Sequence, residues 1–417
     1  KHGIRTMGEL ARYSLNYQDI LYKEFGVDTE LLIDHAWGLE LCGMKEIKAY
    51  KPSTNSISEG QVLSCPYEYS KARIIVQEMA DSLVLQLTDK GLVTDSLTLD
   101  VGYDRENCDN GTYDAWYWAH PPIYMPENCN LEDVAHIRKF VDIPVVCAGR
   151  MDPETAAAAI ADGKIDGAGF ARQFLADQEW VTKLMNDRED DIRPCILCHN
   201  GCFNMCHYKG VPNDQALSDS LHLARCAVNA ETMQWEKHKI VPTTSPKKVH
   251  IIGGGIGGME AARVLKLRGH EPVIHEQTDH LGGTFIAASA ESYKGKLRDL
   301  LTWYRKQMAD LGIEIHYNEK VESIDQFAGA PVIIATGAVP RVLKKVPGHE
   351  KMVEACEYLT GTLVGEKVAV IGGGLTGCEI AYELALQGKQ PVIVEMKNDL
   401  IAQTGVCLAN SSYLREW

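Results

Sequence analysis

Two copies of one short pattern constrain this 417-residue chain more than any other feature in it. The apolar run Lys248–Ile252 leads into Gly253-Gly254-Gly255-Ile256-Gly257-Gly258, and Lys367–Ile371 leads into Gly372-Gly373-Gly374-Leu375-Thr376-Gly377. Both read G-x-G-x-x-G, with Gly253, Gly255 and Gly258 in the first copy and Gly372, Gly374 and Gly377 in the second. The first glycine allows a tight turn, the second lets backbone approach a pyrophosphate, and the third lets a helix pack close on the strand. The next helix, expected from near Met259 in the first copy, points its free amides at the phosphates. A second strand ends at Glu276 in one copy and at Glu395 in the other, each 23 residues past the first glycine. At that offset a carboxylate reaches ribose hydroxyls. One such motif is weak; two with the same acid at the same offset predict two dinucleotide-binding folds.

A second cluster of chemistry lies upstream. Of 13 cysteines, Cys195, Cys198, Cys202 and Cys206 fall within twelve residues, and Cys226 follows later. Cys195, Cys198, Cys202 and Cys226 form three close thiols and one distant, which suits a [4Fe–4S] cluster. Four thiolates equally suit structural zinc, and His199 or His207 could join such a site. Spacing alone does not choose between them. Cys206 reads as a bystander. Clustered thiols imply a reducing compartment, so the cytoplasm is expected.

Composition sets the frame. A chain of this length predicts two to four domains. Apolar residues at 45% and charged residues at 24% are ordinary for a soluble globular protein. The formal charge of -15 argues against a nucleic-acid binder that uses a basic surface. No run of about 18 uncharged apolar residues suggests a membrane helix, and no signal peptide follows Lys1.

Residues 108–190 alternate in a barrel-like way. A helix at 130–140 precedes a strand at 143–150, a helix at 153–162 and a strand at 167–172. Strand, helix, strand is the parallel crossover of a (β/α)8 barrel. Residues 332–338, Val-Ile-Ile-Ala-Thr-Gly-Ala, resemble the flavin-contacting strand of two-dinucleotide flavoproteins, in which the first fold binds FAD and the second a nicotinamide.

These parts, in this order, resemble the 2-enoate reductase and 2,4-dienoyl-CoA reductase family, whose barrel is related to Old Yellow Enzyme. The resemblance covers residues 108–417. It rests on "GTYDAWYWAHPP", "IPVVCAGRM", "GAGFARQFLADQEW", "RPCILCHNGC", "RCAVN" and the two glycine motifs. It implies a [4Fe–4S] cluster on Cys195, Cys198, Cys202 and Cys226. It also implies FAD at Gly253, Gly255, Gly258, Glu276, Gly283, Thr336 and Gly337, and a nicotinamide at Gly372, Gly374, Gly377 and Glu395. FMN phosphate is implied at Gly149, Arg150 and Arg172. Glu395 would repel a 2′-phosphate, which favours NADH over NADPH, although Lys397 lies close by. Electrons would pass from NAD(P)H through FAD and the cluster to FMN. The implied substrate is a small enoate or enoyl-CoA with an activated C=C. Tyr117 is a candidate proton donor, and His120 a candidate anchor for the substrate carbonyl.

The first part of the chain reads differently. Residues 1–34 look helical, and strand-like runs occupy 56–63 and 93–101. A helix is expected at 67–90 from Ala72, Ile75, Val76, Met79, Ala80, Leu83, Val84 and Leu87. Residues 1–107, including "SISEGQVLSCPYEYSKARIIVQEMADSLVLQLTDKGLVTDSLTLDVGYD", resemble the thumb and little finger of a Y-family DNA polymerase of the polymerase IV type. Polymerisation needs palm carboxylates holding two metals. None are recognised here, so no polymerase activity is expected.

The two resemblances imply a chimera joined near 105–111, with early barrel strands missing and weak or absent FMN binding. The nicotinamide fold reads as stopping after its first βαβ. The expected fold class is α/β: a partial (β/α)8 barrel, an Fe–S segment and two Rossmann-like dinucleotide-binding folds, preceded by an α+β polymerase little-finger-like fragment. The expected domains are a thumb-like fragment at 1–34, a little-finger-like fragment at 35–107 and the end of an FMN-type barrel at 108–190. A cluster segment and linker at 191–245, an FAD fold at 246–345 and a truncated NAD(P) fold at 346–417 follow. Two rival readings stand beside the reductase: a DNA-binding polymerase remnant, and a diaphorase that uses only FAD and the cluster. No membrane partner is expected, the acidic charge disfavours nucleic acid, and an oligomer is compatible with the sequence.

Overall fold

A computed structural model describes residues 4, 6–25, 29–37, 57–58, 60, 69–92, 116–206, 224–341, 346–402 and 406–417. The chain divides into two units, Lys1–Asp100 and Val101–Trp417. Residues 105–111, where a joint is expected, the first five residues of the aromatic-rich stretch 111–122, and His207 lie outside the described residues, and so does nearly all of both strands expected in the first unit.

In the first unit the helical expectations hold. Helix α1 spans Met7–Phe25, with a kink at Tyr17, and α2 spans Thr29–Ala36. A capping box starts α1: Glu9 N–H donates to Thr6 Oγ1 at 3.2 Å, and Thr6 N–H donates to Glu9 Oε2 at 3.0 Å. Thr29 Oγ1 donates to the Leu21 carbonyl, tying α2 back onto α1 beside buried Leu10, Ala11 and Leu21. The periodic run becomes α3, Tyr69–Asp89.

In the second unit the barrel-like stretch forms one crossover. Strand β1 (Val146–Ala148) pairs in parallel with β2 (Gly167–Gly169). Between them runs α4 (Pro153–Ala161), with Pro153 at its first turn and Asp152 accepting from Thr155 N–H at 2.9 Å. Cys147, Met151, Ala156, Ala159 and Ile165 form its core. The strands are shorter than expected, because each finds one neighbour and the ladder ends at Ala148↔Gly169. Arg172, expected on a strand, opens the short helix α5 (Arg172–Ala176). Phe140 and Ile143 before β1, and Val146 within it, are 70%, 67% and 62% exposed and form an apolar strip.

The first dinucleotide fold is a four-stranded parallel sheet in the order β5-β4-β3-β6. Its strands are β3 (Lys248–Ile252), β4 (Glu271–His275), β5 (Glu314–His316) and β6 (Val332–Ile334). Helix α6 (Ile256–Leu267) and the longer α7 (Gly295–Asp310) close a core of Ile251, Met259, Ile274, Leu300, Trp303, Tyr304 and Met308. Helix α6 begins at Ile256, three residues earlier than expected, because Gly255 already serves as its N-cap.

The second fold repeats this start. Strand β7 (Lys367–Ile371), helix α8 (Leu375–Leu386) and strand β8 (Gln390–Val394) form a parallel unit. A final helix, α9 (Leu408–Glu416), packs against α8.

Candidate functional site

The two glycine turns share one geometry. Gly253 and Gly372 both sit at φ +108, a left-handed value that disfavours any other residue. A Cβ on Gly258 would be driven into the Gly253 carbonyl, and one on Gly377 into the Gly372 carbonyl. A Cβ on Gly255 would meet nothing within 4 Å, so this turn faces open space, as a pyrophosphate cradle must. Beside it, Gly283 comes against Gly255 and has φ +52.

The acids at the matched offset serve the turns directly. Glu276 accepts from Gly254 N–H at 2.7 Å, and Glu395 accepts from Gly373 N–H at 2.6 Å. Glu276 is buried, and its other oxygen accepts from Thr278 N–H and Oγ1, both at 2.8 Å. A carboxylate has about four acceptor positions, so one remains for a ribose hydroxyl. Hydrogen bonds from Lys397 N–H and Gly373 N–H hold the Glu395 carboxyl below its usual range, and it stays ionised. Thr336 and Gly337 follow β6 on the exposed side, with Gly337 at φ +71.

Cys195, Cys198, Cys202 and Cys226 line one cavity with Arg172, His199 and Val228. Ile196 and Val228 pack on the core of the first dinucleotide fold, while Arg172 comes from the barrel-like crossover. The cavity is therefore walled by both modules. Backbone amides point at the sulfurs: Leu197 N–H at Cys195, Asn200 N–H at Cys198, and Val228 and Asn229 N–H at Cys226. Burial pushes the Cys195 thiol up to about 11 and raises Cys198 and Cys226 as well. Thiols so buried ionise only with a positive partner.

Cys407 is fully buried behind the thiol cavity, near Cys198 and Cys202, and Asn410 Nδ2 donates to the Cys198 carbonyl at 3.2 Å.

The two arginines expected at a phosphate each donate to backbone carbonyls. Arg172 Nη1 donates to the Pro121 carbonyl at 2.8 Å and meets His199 Nε2 at 2.6 Å. Arg150, at φ +50, donates to the Pro122 and Ile123 carbonyls at 3.2 and 3.0 Å. Both brace the 121–123 segment. Gly149 has φ +119, and a Cβ there would meet Asn130 Nδ2 at 2.5 Å. Tyr117 is buried edge-on against Tyr413 at 5.4 Å, and His120 packs at a tilt on Phe203, ring centroids 4.0 Å apart, beside the thiol segment.

One feature has no signal in the sequence. Glu291, Lys294, Glu379 and Tyr124 are all buried and joined. Lys294 Nζ lies 2.9 Å from Glu379 Oε2 and 3.1 Å from Glu291 Oε2, and Tyr124 Oη donates to Glu379 Oε1 at 2.7 Å. Ser292 donates to Glu383 alongside at 2.7 Å. These groups tie together the segment before the crossover, the first fold and α8 of the second. Each is an ordinary charged or polar residue until the fold buries it.

Known proteins match this arrangement. The model of the pyridine nucleotide-disulphide oxidoreductase family matches residues 247–409, both glycine turns included. Cinnamate reductase of Clostridium sporogenes is 39% identical over 330 residues, 78% of this chain and 48% of its own length. NADH oxidase of Thermoanaerobacter brockii is 35% identical over 301 residues, 70% of this chain and 44% of its own. A 2-naphthoyl-CoA reductase solved with 2-naphthoyl-CoA aligns with TM-score 0.60 and 26% identity, over 71% of this chain and 44% of that one. The chain thus spans about half the length of the curated relatives it matches. The polymerase resemblance of residues 1–107, and the chimera it implied, gain no support from these matches. These relatives support the 2-enoate reductase and Old Yellow Enzyme-like family as the one to which this chain is related.

Proposed function

We propose that the chain is part of an NADH-dependent flavin and iron–sulfur reductase of the enoate type. FAD lies in the first dinucleotide fold and the nicotinamide in the second, and the [4Fe–4S] cluster is held by Cys195, Cys198, Cys202 and Cys226. The observation that carries this reading is the thiol cavity walled by the first fold on one side and the barrel-like crossover on the other. A cluster held there would be flanked by the first fold and by the crossover.

When bound, the flavin and nicotinamide supply hydride transfer, and the cluster carries single electrons. The chain's own residues do the rest. The glycine turns admit the pyrophosphates and Glu276 orients a ribose. Glu395, ionised, discriminates against a 2′-phosphate. The amides aimed at three of the sulfurs would stabilise thiolate charge and so raise the reduction potential of a cluster bound there. Tyr117 and His120 remain the candidates for the substrate side, and an FMN would be held near Gly149, Arg150 and Arg172 by donors left over from the 121–123 carbonyls. An activated alkene is the substrate class; the domain division given above and a cytoplasmic setting belong to the same reading.

Replacing Cys198 by alanine tests the ligand set. The broad iron–sulfur absorbance near 400 nm, about where thiolate-to-iron charge transfer falls, is expected to disappear while the flavin bands stay. Retention of that shoulder in Cys198→Ala would show that the thiol is not a ligand.

A further inference from the structure

A second group of metal-type ligands lies away from the thiol cavity, at one edge of the first dinucleotide fold. His275 ends β4 and His316 ends β5, and the two are register partners in the parallel ladder. Their rings lie 5.1 Å apart between centroids. Glu319 returns to the same point through a turn at Asn318, which has φ +57. The return is fixed by backbone, since Glu319 N–H donates to the Glu276 carbonyl and Glu276 N–H to the His316 carbonyl, both at 2.9 Å. His275 Nδ1 lies 2.9 Å from Glu319 Oε1, and His316 Nδ1 lies 2.8 Å from Glu319 Oε2. One ligand atom from each residue falls within 4.8 Å of the other two.

The outer contacts are those of a metal site. A metal-bound imidazole holds its tautomer by giving its other N–H to an acceptor. Nε2 of His275 lies 2.9 Å from His250 Nδ1, and Nε2 of His316 lies 2.8 Å from Glu314 Oε1. Both distal nitrogens are thus supported, one by an imidazole and one by a carboxylate. His250 is itself fixed by stacking on Phe327, ring centroids 4.3 Å apart. His275 is 4% exposed, whereas the side chains of His316 and Glu319 are 43% and 38% exposed. The site is anchored on its inner side and open to water on the other.

We propose that His275 Nδ1, His316 Nδ1 and Glu319 bind one late first-row divalent cation, with His250 and Glu314 holding the two imidazoles. Two imidazole nitrogens and one carboxylate suit zinc, cobalt, nickel or copper, and do not suit magnesium or calcium, which take oxygen ligands. The cation takes the place of the protons shared between Glu319 and the two rings, and open positions are filled by water. The backbone of Glu276 joins β4 to both His316 and Glu319, so the site braces the turn that carries the ribose acid. This site stands whether or not the first fold binds a flavin.

Zinc and cobalt titrations of the full chain, purified with its cluster in place, test it. Calorimetry should show one zinc site that His316→Ala abolishes and that Glu319→Gln weakens at least tenfold. Glu314→Gln, which leaves all three ligands, should weaken zinc binding 10–100-fold, the usual effect of losing an outer partner. Cobalt should show d–d bands without the intense thiolate charge-transfer bands that binding at the cysteines would give. Should His316→Ala fail to fold, the exposed Glu319→Gln decides alone. Zinc binding unchanged in Glu319→Gln, or cobalt bands of thiolate type only, would overturn the proposal and leave a hydrogen-bonded network without a metal.

Discussion

Replacing Lys294 by methionine is expected to cost about 3–5 kcal/mol, the usual result of removing one partner from a buried ion pair. Methionine keeps most of the volume, so the loss is electrostatic rather than a cavity. Lys294 is the cation between Glu291 and Glu379, which are 2% and 9% exposed. Without it two carboxylates face each other in a site closed to water. Burial already raises Glu291 above its ordinary value, and Lys294 opposes that rise. A carboxyl raised in the folded state stabilises below its unfolded value and loses that contribution as pH climbs through the folded value. Removing Lys294 enlarges the rise, so the penalty should be greater at pH 8 than at pH 5. Urea unfolding of both proteins at the two pH values measures this. A cost below about 1 kcal/mol, the level of an exposed pair, would mean that water reaches the network.

Gly258→Ala should be nearly as damaging, although alanine is the better helix former by about 1 kcal/mol. The added carbon is forced into the Gly253 carbonyl, a backbone atom held by the turn, and α6 must lift off β3 to admit it. Overpacking costs about 1–3 kcal/mol even against movable side chains, so the clash outweighs the propensity gain. Because the displaced groups form the cradle, flavin content should fall roughly tenfold, the equivalent of about 1.4 kcal/mol in binding. Gly257→Ala is the internal control. Its Cβ meets nothing within 4 Å, so the same propensity gain should leave the fold as stable as before or more so. Equal flavin retention in the two variants would show that close helix–strand packing does not shape the cradle.

The parts of the fold read from sequence are those that local chemistry specifies. Strands Lys248–Ile252, Glu271–His275 and Lys367–Ile371 appear with the bounds their apolar runs suggest, and the glycine turns fall where backbone geometry demands them. The cysteine cluster is visible in sequence as spacing, and the fold brings Cys195, Cys198, Cys202 and Cys226 to one cavity. Features that depend on partners are not visible in sequence. Strand β1 is short because the ladder beside it is short, and Arg172 lies on a helix although the residues before it look extended. The hydrogen bonds from Arg150 and Arg172 to the 121–123 carbonyls likewise join segments that are distant in sequence. The pairing of His275 with His316 follows from strand register, which separates them by 41 residues of unremarkable sequence. The Lys294 network needs three segments to meet. No window of sequence contains it.

Anaerobic titration of the purified full chain with NADH, followed by visible absorbance and low-temperature electron paramagnetic resonance, tests the central claim most directly. Bleaching of the flavin bands together with the signal of a reduced [4Fe–4S] cluster is the predicted result, with about four irons and four acid-labile sulfides per chain for one such cluster. A protein that holds one zinc and no labile sulfide, or a flavin that NADH reduces with no cluster signal, would contradict it.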